Sequence, residues 1–522
     1  MTQDYGKVFL VGAGPGDPGL LTLRGAELLR RADVVVYDRL VPAELLSMVP
    51  ATARRVYVGK TPGQSGISQD EINAILVREA RSAATVVRLK GGDPLVFGRG
   101  GEEALALRWA GIPFEIVPGV TAGVAGPAYA GIPVTHRGLT SSVVFVTGNE
   151  DPAKPDSDLD YAALARIGTV VFYMGVGHLR ENLAQLVTAG RSPQTPAAIV
   201  QWATTARQRT VTGTLATLAD RAEAAGMAAP CIVIVGEVAA LRDELAWCER
   251  LPLFGRTILV TRSRRQASEL VVALRDLGAR VIELPTIEIR PVDSPELTDV
   301  AGRLAEFDWI VFTSPNGVIE FAAHLSRHGK DVRALAPLRI AAIGPGTARH
   351  LADVGLRADL VSEKAIAESL ADALLAAGVG QGTSVLLTRA EEARDVLPDR
   401  LRAAGAVVTD VAVYRTVVPE HVDAESLAAL AAGDVDLVTL TSSSTARHLA
   451  EVVRAHGGDA MLDRVCSASR FFAIGPITAR TADEFGFQVI VESPVHTIDG
   501  LVEAIRRWAA ENPGFPANSG DR

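Results

Sequence analysis

Short apolar runs alternate with amphipathic stretches through the first 150 residues. The run Val8–Val11 precedes a glycine-rich segment and an amphipathic stretch, and the next run is Asp33–Tyr37. Continuous apolar runs bounded by turn residues are typical of parallel strands buried on both faces, and the stretches between them predict helices. The pattern therefore predicts an α/β fold with a parallel sheet covered by helices, among them Ile72–Arg81, Glu102–Trp109 and Thr121–Ala130.

The same alternation continues more sparsely up to residue 250. It predicts strands over Thr169–Gly175 and Cys231–Val238 and a helix over Leu179–Ala189. We expect the same parallel architecture here. The polar segment 149–158 separates the two parts, which predicts subdomains of about residues 1–148 and 159–250.

Residues 256–510 contain an internal repeat, which begins after a short linker at 250–255. Arg262 matches Arg389, Thr313 matches Thr441 and Gly344 matches Gly475, so each copy has strands that end in TR, TS and IGPxTA. The repeat predicts two α/β units of similar plan. The hydroxyls at these strand ends are either helix caps or, if all face one cleft, a binding site for a polyanion. The Pro/Gly-containing polar tail at 511–522 is predicted to be disordered.

Composition narrows the function classes. A chain of 522 residues with 48% hydrophobic and 22% charged residues predicts three or four globular domains. The net charge of −9 argues against nucleic-acid binding. The three cysteines are far apart, with neither a CxxC motif nor a Cys/His cluster, so we expect no disulfide framework and no metal site. With no apolar run of membrane-spanning length and no signal-peptide pattern, we expect a cytoplasmic protein without membrane contact.

The densest stretch is RLKGGDPLVFGRGGEE at Arg88–Glu103. Gly91 and Gly92 permit the backbone to come close to a ligand, and Asp93 starts a turn. Glu103 lies in the first turn of a predicted helix, where its charge interacts favourably with the helix dipole. Both a purely structural strand-to-helix loop and a ligand-binding loop fit this composition. The earlier GAGPGD has GxGxG spacing, so a dinucleotide site is rejected.

Ligands of open α/β sheets bind beyond the carboxyl ends of the strands. We therefore expect five loops of the first half to converge on one rim. These loops are residues 12–19, 38–39, 91–99, 118–121 and 173–177.

Six motifs in the first half occur in a recognisable order. They are VGAGPGDPGLLTLRG, VVYDRLV, VGK, RLKGGDPLVFGRGGEE, VPGVTAGVAGPAYAGIPVTHR and VFYMG. Together they resemble the S-adenosylmethionine-dependent uroporphyrinogen-III C-methyltransferases, a branch of the tetrapyrrole methyltransferase family, over about residues 5–248. The resemblance implies two α/β domains with the active site in the cleft between them, and a homodimer formed through this half.

The resemblance also implies roles for individual residues. Asp38 matches a proposed proton acceptor and Lys60 a proposed proton donor. Ala203 stands where the family usually has glycine, and Met174, without its neighbouring motif, would be assigned to the core. The implied contacts to S-adenosylmethionine are Pro15, Gly91, Gly92, Asp93, Val96, Thr121, Ala122, Met174 and Ala203.

A substrate as rich in carboxylates as uroporphyrinogen III requires cations in the cleft. The candidates are Arg39, Lys60, Arg99, His136 and Arg137. Arg137 is equally consistent with a solvated loop charge, and Lys90 with a structural residue at a strand end.

The second half carries VTR, FTSPNGV, AIGPGTA, LLTRA, VYRT and AIGPITA in order. This series resembles uroporphyrinogen-III synthase over about residues 256–510, although segment 441–445 lacks the usual proline. The resemblance implies two discontinuous lobes, one of residues 256–288 plus 417–510 and the other of 289–416, with the chain leaving the first lobe after a strand Val281–Ile289. It implies a catalytic role for Tyr414 and substrate contacts from Thr347, Ser444 and Thr478.

Together the resemblances imply a bifunctional enzyme. It would cyclise hydroxymethylbilane to uroporphyrinogen III and then add two methyl groups from S-adenosylmethionine, giving precorrin-2 for sirohaem or cobalamin synthesis. Two alternatives are a methyltransferase acting later in the corrin pathway, and a methyltransferase whose second half is a non-catalytic tandem α/β binding or regulatory module.

Overall fold

The computed structural model describes residues 5–59, 67–149, 158–262, 264–419 and 422–512. The chain divides into two compact units, Met1–Gly255 and Arg256–Arg522, and each contains two sheets. Among the described residues, no helix combines the length and the apolar character needed to cross a membrane. Lys60, the polar segment at 150–157 and the tail from residue 513 onward lie outside the described residues.

The first sheet is entirely parallel, with strand order β3-β2-β4-β1-β5. Alternate residues of β1 enter different cores, since Val8 and Leu10 pack on one face and Phe9 and Val11 on the other. This explains the continuous apolar run in the sequence. The strands are β1 (Lys7–Gly12), β2 (Val34–Tyr37), β3 (Arg54–Tyr57), β4 (Thr85–Lys90) and β5 (Phe114–Val117), and the helices α1 (Leu23–Arg30), α2 (Ala43–Leu46), α3 (Gln69–Ala80), α4 (Gly100–Trp109) and α5 (Ala122–Tyr129).

The second sheet has the order β6-β7-β10-β8-β9, and only β6 and β7 run parallel. The expectation of a parallel sheet here was wrong. A strand buried on both faces is continuously apolar whichever way its neighbours run, so the pattern did not report strand direction. The strands are β6 (Val143–Thr147), β7 (Thr169–Tyr173), β8 (Pro196–Gln201), β9 (Arg209–Thr214) and β10 (Cys231–Val235), and the helices α6 (Tyr161–Leu164), α7 (Leu179–Thr188), α8 (Leu218–Ala224) and α9 (Arg242–Leu245).

In the second unit, one sheet is assembled from both ends of the unit. Its order is β12-β11-β19-β20-β21, and all of its pairs are parallel. The helix Ser443–Ala468, which follows the strand Leu437–Leu440, is interrupted at Gly458, which has a φ of 65°. The strands are β11 (Thr257–Val260), β12 (Arg280–Glu283), β19 (Leu437–Leu440), β20 (Arg470–Ala473) and β21 (Val489–Glu492), and the helices α10 (Arg264–Asp276), α16 (Ala424–Ala432), α17 (Ser443–Ala468), α18 (Pro476–Glu484) and α19 (Ile498–Glu511).

The other sheet of this unit has the order β13-β18-β17-β14-β15-β16, with β13 antiparallel to β18. The single strand expected over Val281–Ile289 is therefore two strands in different sheets, because the chain crosses from one sheet to the other between Glu283 and Glu288. The strands are β13 (Glu288–Pro291), β14 (Trp309–Phe312), β15 (Arg339–Ala342), β16 (Leu360–Val361), β17 (Ser384–Ala390) and β18 (Val407–Val417), and the helices α11 (Pro295–Gly302), α12 (Pro315–Arg327), α13 (Gly344–Asp353), α14 (Ala367–Ala376) and α15 (Val396–Ala403). The predicted α/β class is confirmed in both units.

Candidate active sites

The loops at the carboxyl edge of the first sheet meet through their backbones. Gly92 N donates to Gly14 O at 2.8 Å, and Gly14 N donates to Gly92 O at 3.2 Å. A Cβ on Gly119 would lie 2.3 Å from Gly92 O and 2.7 Å from Gly12 Cα. Gly119 therefore leaves no room for a side chain, whereas Gly14 and Gly92 have φ angles of 77° and 69°, which favour glycine. The approach of the Gly91 and Gly92 backbone to a ligand stays a prediction. A Cβ on Gly91 would lie 2.8 Å from Leu40 Cβ, which brings the loop after β2 to the same edge.

The Asp93 carboxylate connects two of these loops by hydrogen bonds. Its Oδ1 accepts from the N–H groups of Leu95 (2.8 Å) and Val96 (3.2 Å), and its Oδ2 accepts from Gly119 N at 3.0 Å. The loop after β4 is thereby tied both to itself and to the loop after β5. A cofactor contact by Asp93 stays a prediction, and the geometry adds a positioning role.

The second sheet contributes Tyr173, the last residue of β7. Its hydroxyl lies 2.7 Å from Thr121 Oγ1 and accepts from Gly123 N at 2.6 Å, at the N-terminus of α5. Its ring packs against Phe97 with 4.9 Å between the centroids. Burial raises the pKa of Tyr173, so the hydroxyl stays protonated at neutral pH. The sequence placed Tyr173 in one of the loops expected at the rim but predicted no contact for it, although its position at a strand end directly before Met174 was a usable signal.

Left-handed backbone is concentrated around these loops. Among the described residues other than glycine, positive φ angles occur only at Phe97 (51°), Arg99 (58°), Met174 (56°), Trp202 (48°) and Thr204 (67°). These residues follow β4, β7 and β8. Such conformations are unfavourable by about 1–3 kcal/mol each and cluster at functional sites.

Met174 is 51% exposed, so assigning it to the core would have been wrong. Thr204 joins the loop after β8 to the loop after β1, because Asp17 N donates to Thr204 Oγ1 at 3.0 Å. The Tyr129 hydroxyl donates to Asp17 Oδ2 at 2.5 Å, which adds helix α5 to the same junction. These contacts join loops of the first sheet to the loop after β8 of the second sheet.

Ala203 is buried and packs with Val96 and Ala122 in one apolar cluster. Its Cβ is accommodated by Gly126 of α5, where an added Cβ would lie 3.1 Å away. The neighbouring Pro15 is half-buried in the loop after β1.

Asp38 is attached to a buried charge network. Its Oδ1 accepts from Leu40 N at 3.1 Å, and its Oδ2 lies 3.3 Å from the Arg88 guanidinium. Arg88 and Lys90 both bind Glu103 Oε1, at 3.1 and 2.8 Å, and all three side chains are buried. The interpretation of Glu103 as a residue acting on the helix dipole was therefore incomplete, since it is the buried anion of this network. Lys90 is structural, and its pKa is lowered by burial and then by Arg88.

The predicted substrate cations that the structure describes are exposed. Arg99 forms two 2.8 Å hydrogen bonds to Glu102 in the first turn of α4, and these bonds raise the pKa of Arg99. His136 lies in a turn in which its backbone pairs with Thr140. Arg39 and Arg137 are also exposed. Their role in substrate binding stays a prediction.

In the second unit, a cavity of about 260 Å³ contains Tyr414 in its lining. Its lining joins elements of both sheets of this unit. Ile477 lies in α18, which follows a strand of one sheet, and Thr313, Ile343 and Arg389 lie at strand ends of the other. The Tyr414 hydroxyl is 3.0 Å from Ser314 Oγ. Burial raises the pKa of Tyr414, which keeps the phenol protonated.

Arg389 lines the same cavity and was not among the site residues predicted from the sequence. Its Nε donates to Asp410 at 2.7 Å, and its guanidinium bonds Asp395 at 2.8 Å. The available signal was the TR ending of the repeated strand, which places an arginine at the carboxyl end of β17.

The predicted hydroxyl positions divide into two kinds. Thr347 and Thr478 are buried in the first turns of α13 and α18. Ser444 is half-buried, and its hydroxyl is 2.9 Å from that of Ser442, which caps α17 by accepting from Thr445 N. The capping interpretation is therefore correct for Ser442, whereas substrate contacts by Thr347, Ser444 and Thr478 stay predictions.

In comparison with known proteins, the chain matches two family models. Residues 7–219 match the model of tetrapyrrole (corrin/porphyrin) methylases, and residues 268–503 match that of uroporphyrinogen-III synthase HemD.

One similar protein spans nearly the whole chain, and others span about its first half. "Porphyrin biosynthesis protein HemD" of Ruminiclostridium josui is 38% identical over 504 residues, which is 96% of this chain and 98% of the relative. The "S-adenosyl-L-methionine-dependent uroporphyrinogen III methyltransferase" of Methanosarcina barkeri is 51% identical over 47% of this chain and 96% of its own length. The crystal structure of uroporphyrin-III C-methyltransferase from Thermus thermophilus is 42% identical over 45% of this chain and 94% of that one, with a TM-score of 0.39.

Proposed function

We propose that this chain catalyses two successive reactions. It belongs to the family of porphyrin-biosynthesis proteins that join a tetrapyrrole methylase domain to a uroporphyrinogen-III synthase domain. It cyclises hydroxymethylbilane to uroporphyrinogen III and methylates this product twice, giving precorrin-2 on the route to sirohaem or cobalamin. Residues 1–250 carry out the methylation. Residues 256–510 form the synthase, with one lobe of 256–288 and 417–510 and the other of 289–416.

The observation that supports the methyltransferase most is the backbone junction of Gly14, Gly92 and Gly119. This junction is built from backbone atoms of glycines, and Arg99, which belongs to the same loop as Gly92, is paired with Glu102. Such a surface fits S-adenosylmethionine, which carries no phosphate. Bound there, the cofactor supplies an electrophilic methyl group. Its contacts would be Pro15, Gly91, Gly92, Asp93, Val96, Thr121, Ala122, Met174 and Ala203.

The protein's task in methyl transfer is mainly to align the substrate carbon with the methyl group and to remove one proton. We assign proton removal to Asp38. Its carboxylate is partly exposed and is oriented by hydrogen bonds from Leu40 N and Arg88. Lys60, assigned as proton donor from the resemblance, lies outside the described residues. Arg39, Arg99, His136 and Arg137 would bind substrate carboxylates.

In the synthase, Tyr414 would assist departure of the substrate hydroxyl. Its phenol is held by Ser314 and stays protonated because burial raises its pKa, so it can donate a proton to the leaving oxygen. Thr347, Ser444 and Thr478 would bind the bilane's carboxylates together with N–H groups at helix N-termini.

The test combines both halves in one assay of hydroxymethylbilane and isotopically labelled S-adenosylmethionine. The expected product is type-III tetrapyrrole with two labels. If the chain forms no type-III isomer, the synthase assignment fails and the non-catalytic module is favoured. If it transfers no label to supplied uroporphyrinogen III, the methyltransferase assignment fails independently. Dimerisation through the methyltransferase half belongs to the same proposal, and the mass in solution measured by light scattering tests it.

A further inference from the structure

Three metal-ligand side chains converge in the second unit away from the proposed catalytic cavity. Asp293 closely follows β13, His324 lies in α12, and His328 is the residue at the end of that helix. One ligand atom from each lies within 4.8 Å of the other two. This is a histidine–carboxylate cluster that cysteine spacing in the sequence could not indicate.

The buried imidazole of His324 has no hydrogen-bond partner among the described residues. This holds for both ring nitrogens, and the side chain is fully buried. Buried polar groups without partners are rare in folded proteins, and a bound ion can satisfy such a group. Its Nδ1 lies 3.7 Å from Asp293 Oδ1, which is too long for a hydrogen bond. Two ligands about 2.0–2.1 Å from a tetrahedral ion would lie roughly 3.3 Å apart, so the separation suits a shared cation.

His328 completes the arrangement one helical turn further. Its Nε2 lies 4.0 Å from the same Asp293 oxygen, and the two imidazole rings are 4.4 Å apart at their centroids. Histidines four residues apart on a helix can bind one metal ion together. The carboxyl end of a helix also carries partial negative charge that favours a cation. The nearby Lys330 does not supply that cation, because its Nζ donates to Ala301 O at 2.6 Å.

We propose that Asp293, His324 and His328 bind a divalent transition-metal ion, with Zn²⁺ the best match. Two imidazoles and one carboxylate suit zinc, and water would complete a four-coordinate shell. His324 is ten residues beyond Ser314, the N-cap beside Tyr414, which places the site about 15 Å along α12 from the cavity. The ion would therefore connect the β13–α11 junction to the end of α12 and stabilise this lobe without taking part in the reaction.

The test is zinc binding by the full-length chain without a polyhistidine tag. Calorimetric titration with Zn²⁺ should give one ion per chain and a raised melting temperature, and Co²⁺ should give the visible absorption of a low-symmetry four-coordinate site. The variants are His328→Gln and Asp293→Asn, because both side chains are substantially exposed and their replacement leaves the core intact. Each should weaken Zn²⁺ binding at least about tenfold.

The matched control is His350→Gln. His350 is a partly exposed histidine on α13 of the same lobe, with its Nδ1 3.0 Å from Gly346 O. This variant should bind Zn²⁺ like the unmodified chain. The proposal is overturned if the unmodified chain binds no Zn²⁺ at about 100 μM, or if His328→Gln and Asp293→Asn both retain its affinity and stoichiometry. Enzymatic turnover is not the readout, so failure here leaves the proposed catalytic function untouched.

Discussion

The Nζ of Lys90 lies 2.8 Å from Glu103 Oε1, and neither side chain is more than 5% exposed. The same oxygen binds Arg88, whose guanidinium reaches Asp38, the residue directly after β2. A single fully buried carboxylate thus neutralises two cations beneath the glycine-rich loop. It also orients the residue that we propose as proton acceptor.

Glu103→Gln is therefore expected to destabilise the protein by about 3–5 kcal/mol, because two buried cations lose their common anion. Urea unfolding followed by circular dichroism measures this change. The matched control is the neighbouring Glu102→Gln, which removes only an exposed pair with Arg99 and should change stability by less than about 1 kcal/mol. Equal effects of the two substitutions would contradict the network's role.

Gly119→Ala is expected to abolish most methyl transfer and to weaken S-adenosylmethionine binding more than tenfold. The added Cβ would meet backbone atoms of Gly92 and Gly12, which cannot move without separating the loops. Binding is measured by calorimetry. Gly101→Ala is the control, because a Cβ there meets nothing within 4 Å, and it should be neutral or stabilising by up to about 1 kcal/mol. An active Gly119→Ala variant would show that the backbone junction is dispensable.

Tyr173→Phe removes the hydroxyl that joins the second sheet to the N-terminus of α5. Gly123 N then loses its acceptor and Thr121 its partner, so we expect about 1–3 kcal/mol of destabilisation and a raised KM for S-adenosylmethionine. Steady-state kinetics separate KM from kcat. A control is Tyr161→Phe, which removes a hydrogen bond to Asn182 elsewhere in the same subdomain and should leave KM unchanged. An unchanged KM in Tyr173→Phe would argue against a link between this tyrosine and the cofactor site.

Tyr414→Phe is expected to slow type-III isomer formation by about 10²-fold or more, the typical contribution of a positioned proton donor. Because burial raises the Tyr414 pKa, the unmodified enzyme should show no loss of synthase activity from ionisation of this phenol up to about pH 10. Methyl transfer to supplied uroporphyrinogen III is the internal control and should be unaffected. Full synthase activity in the variant would exclude Tyr414 as the donor.

Glu115 gives a pH-dependent prediction. Hydrogen bonds from Arg24 and then Lys7 lower its pKa from 4.5 to about 2. A carboxyl with a lower pKa in the folded state stabilises the protein above its unfolded pKa, and this contribution disappears as the pH falls toward the folded value. Glu115→Gln should therefore be less stable than the unmodified chain at pH 7, by about 1 kcal/mol or less because the pairs are partly exposed. The difference in free energy of unfolding between the two proteins, measured by urea unfolding, should narrow below pH 4.5. If it stays constant down to pH 3, the lowered pKa of Glu115 is not its cause.

The sequence alone determined the α/β class and most element positions, because apolar periodicity reports local burial directly. The predicted helix over Ile72–Arg81, for example, is Gln69–Ala80 in the structure. Ordered motifs such as RLKGGDPLVFGRGGEE also determined the family. Gly91 and Gly92 were singled out from the sequence for close approach of the backbone to a ligand, and this stays a prediction.

Only the tertiary structure decided the features that depend on partners distant in the chain. Burial on both faces makes β8 and β10 apolar whichever way they run, so their antiparallel pairing was invisible in the pattern. Glu102 and Glu103 are identical in type and adjacent in sequence, yet one is exposed and the other is the anion of a buried network. Asp293 and His324 are brought together by packing of α12 near the end of β13. Residue type and local spacing specify what a side chain can do, whereas long-range packing decides which charge it meets.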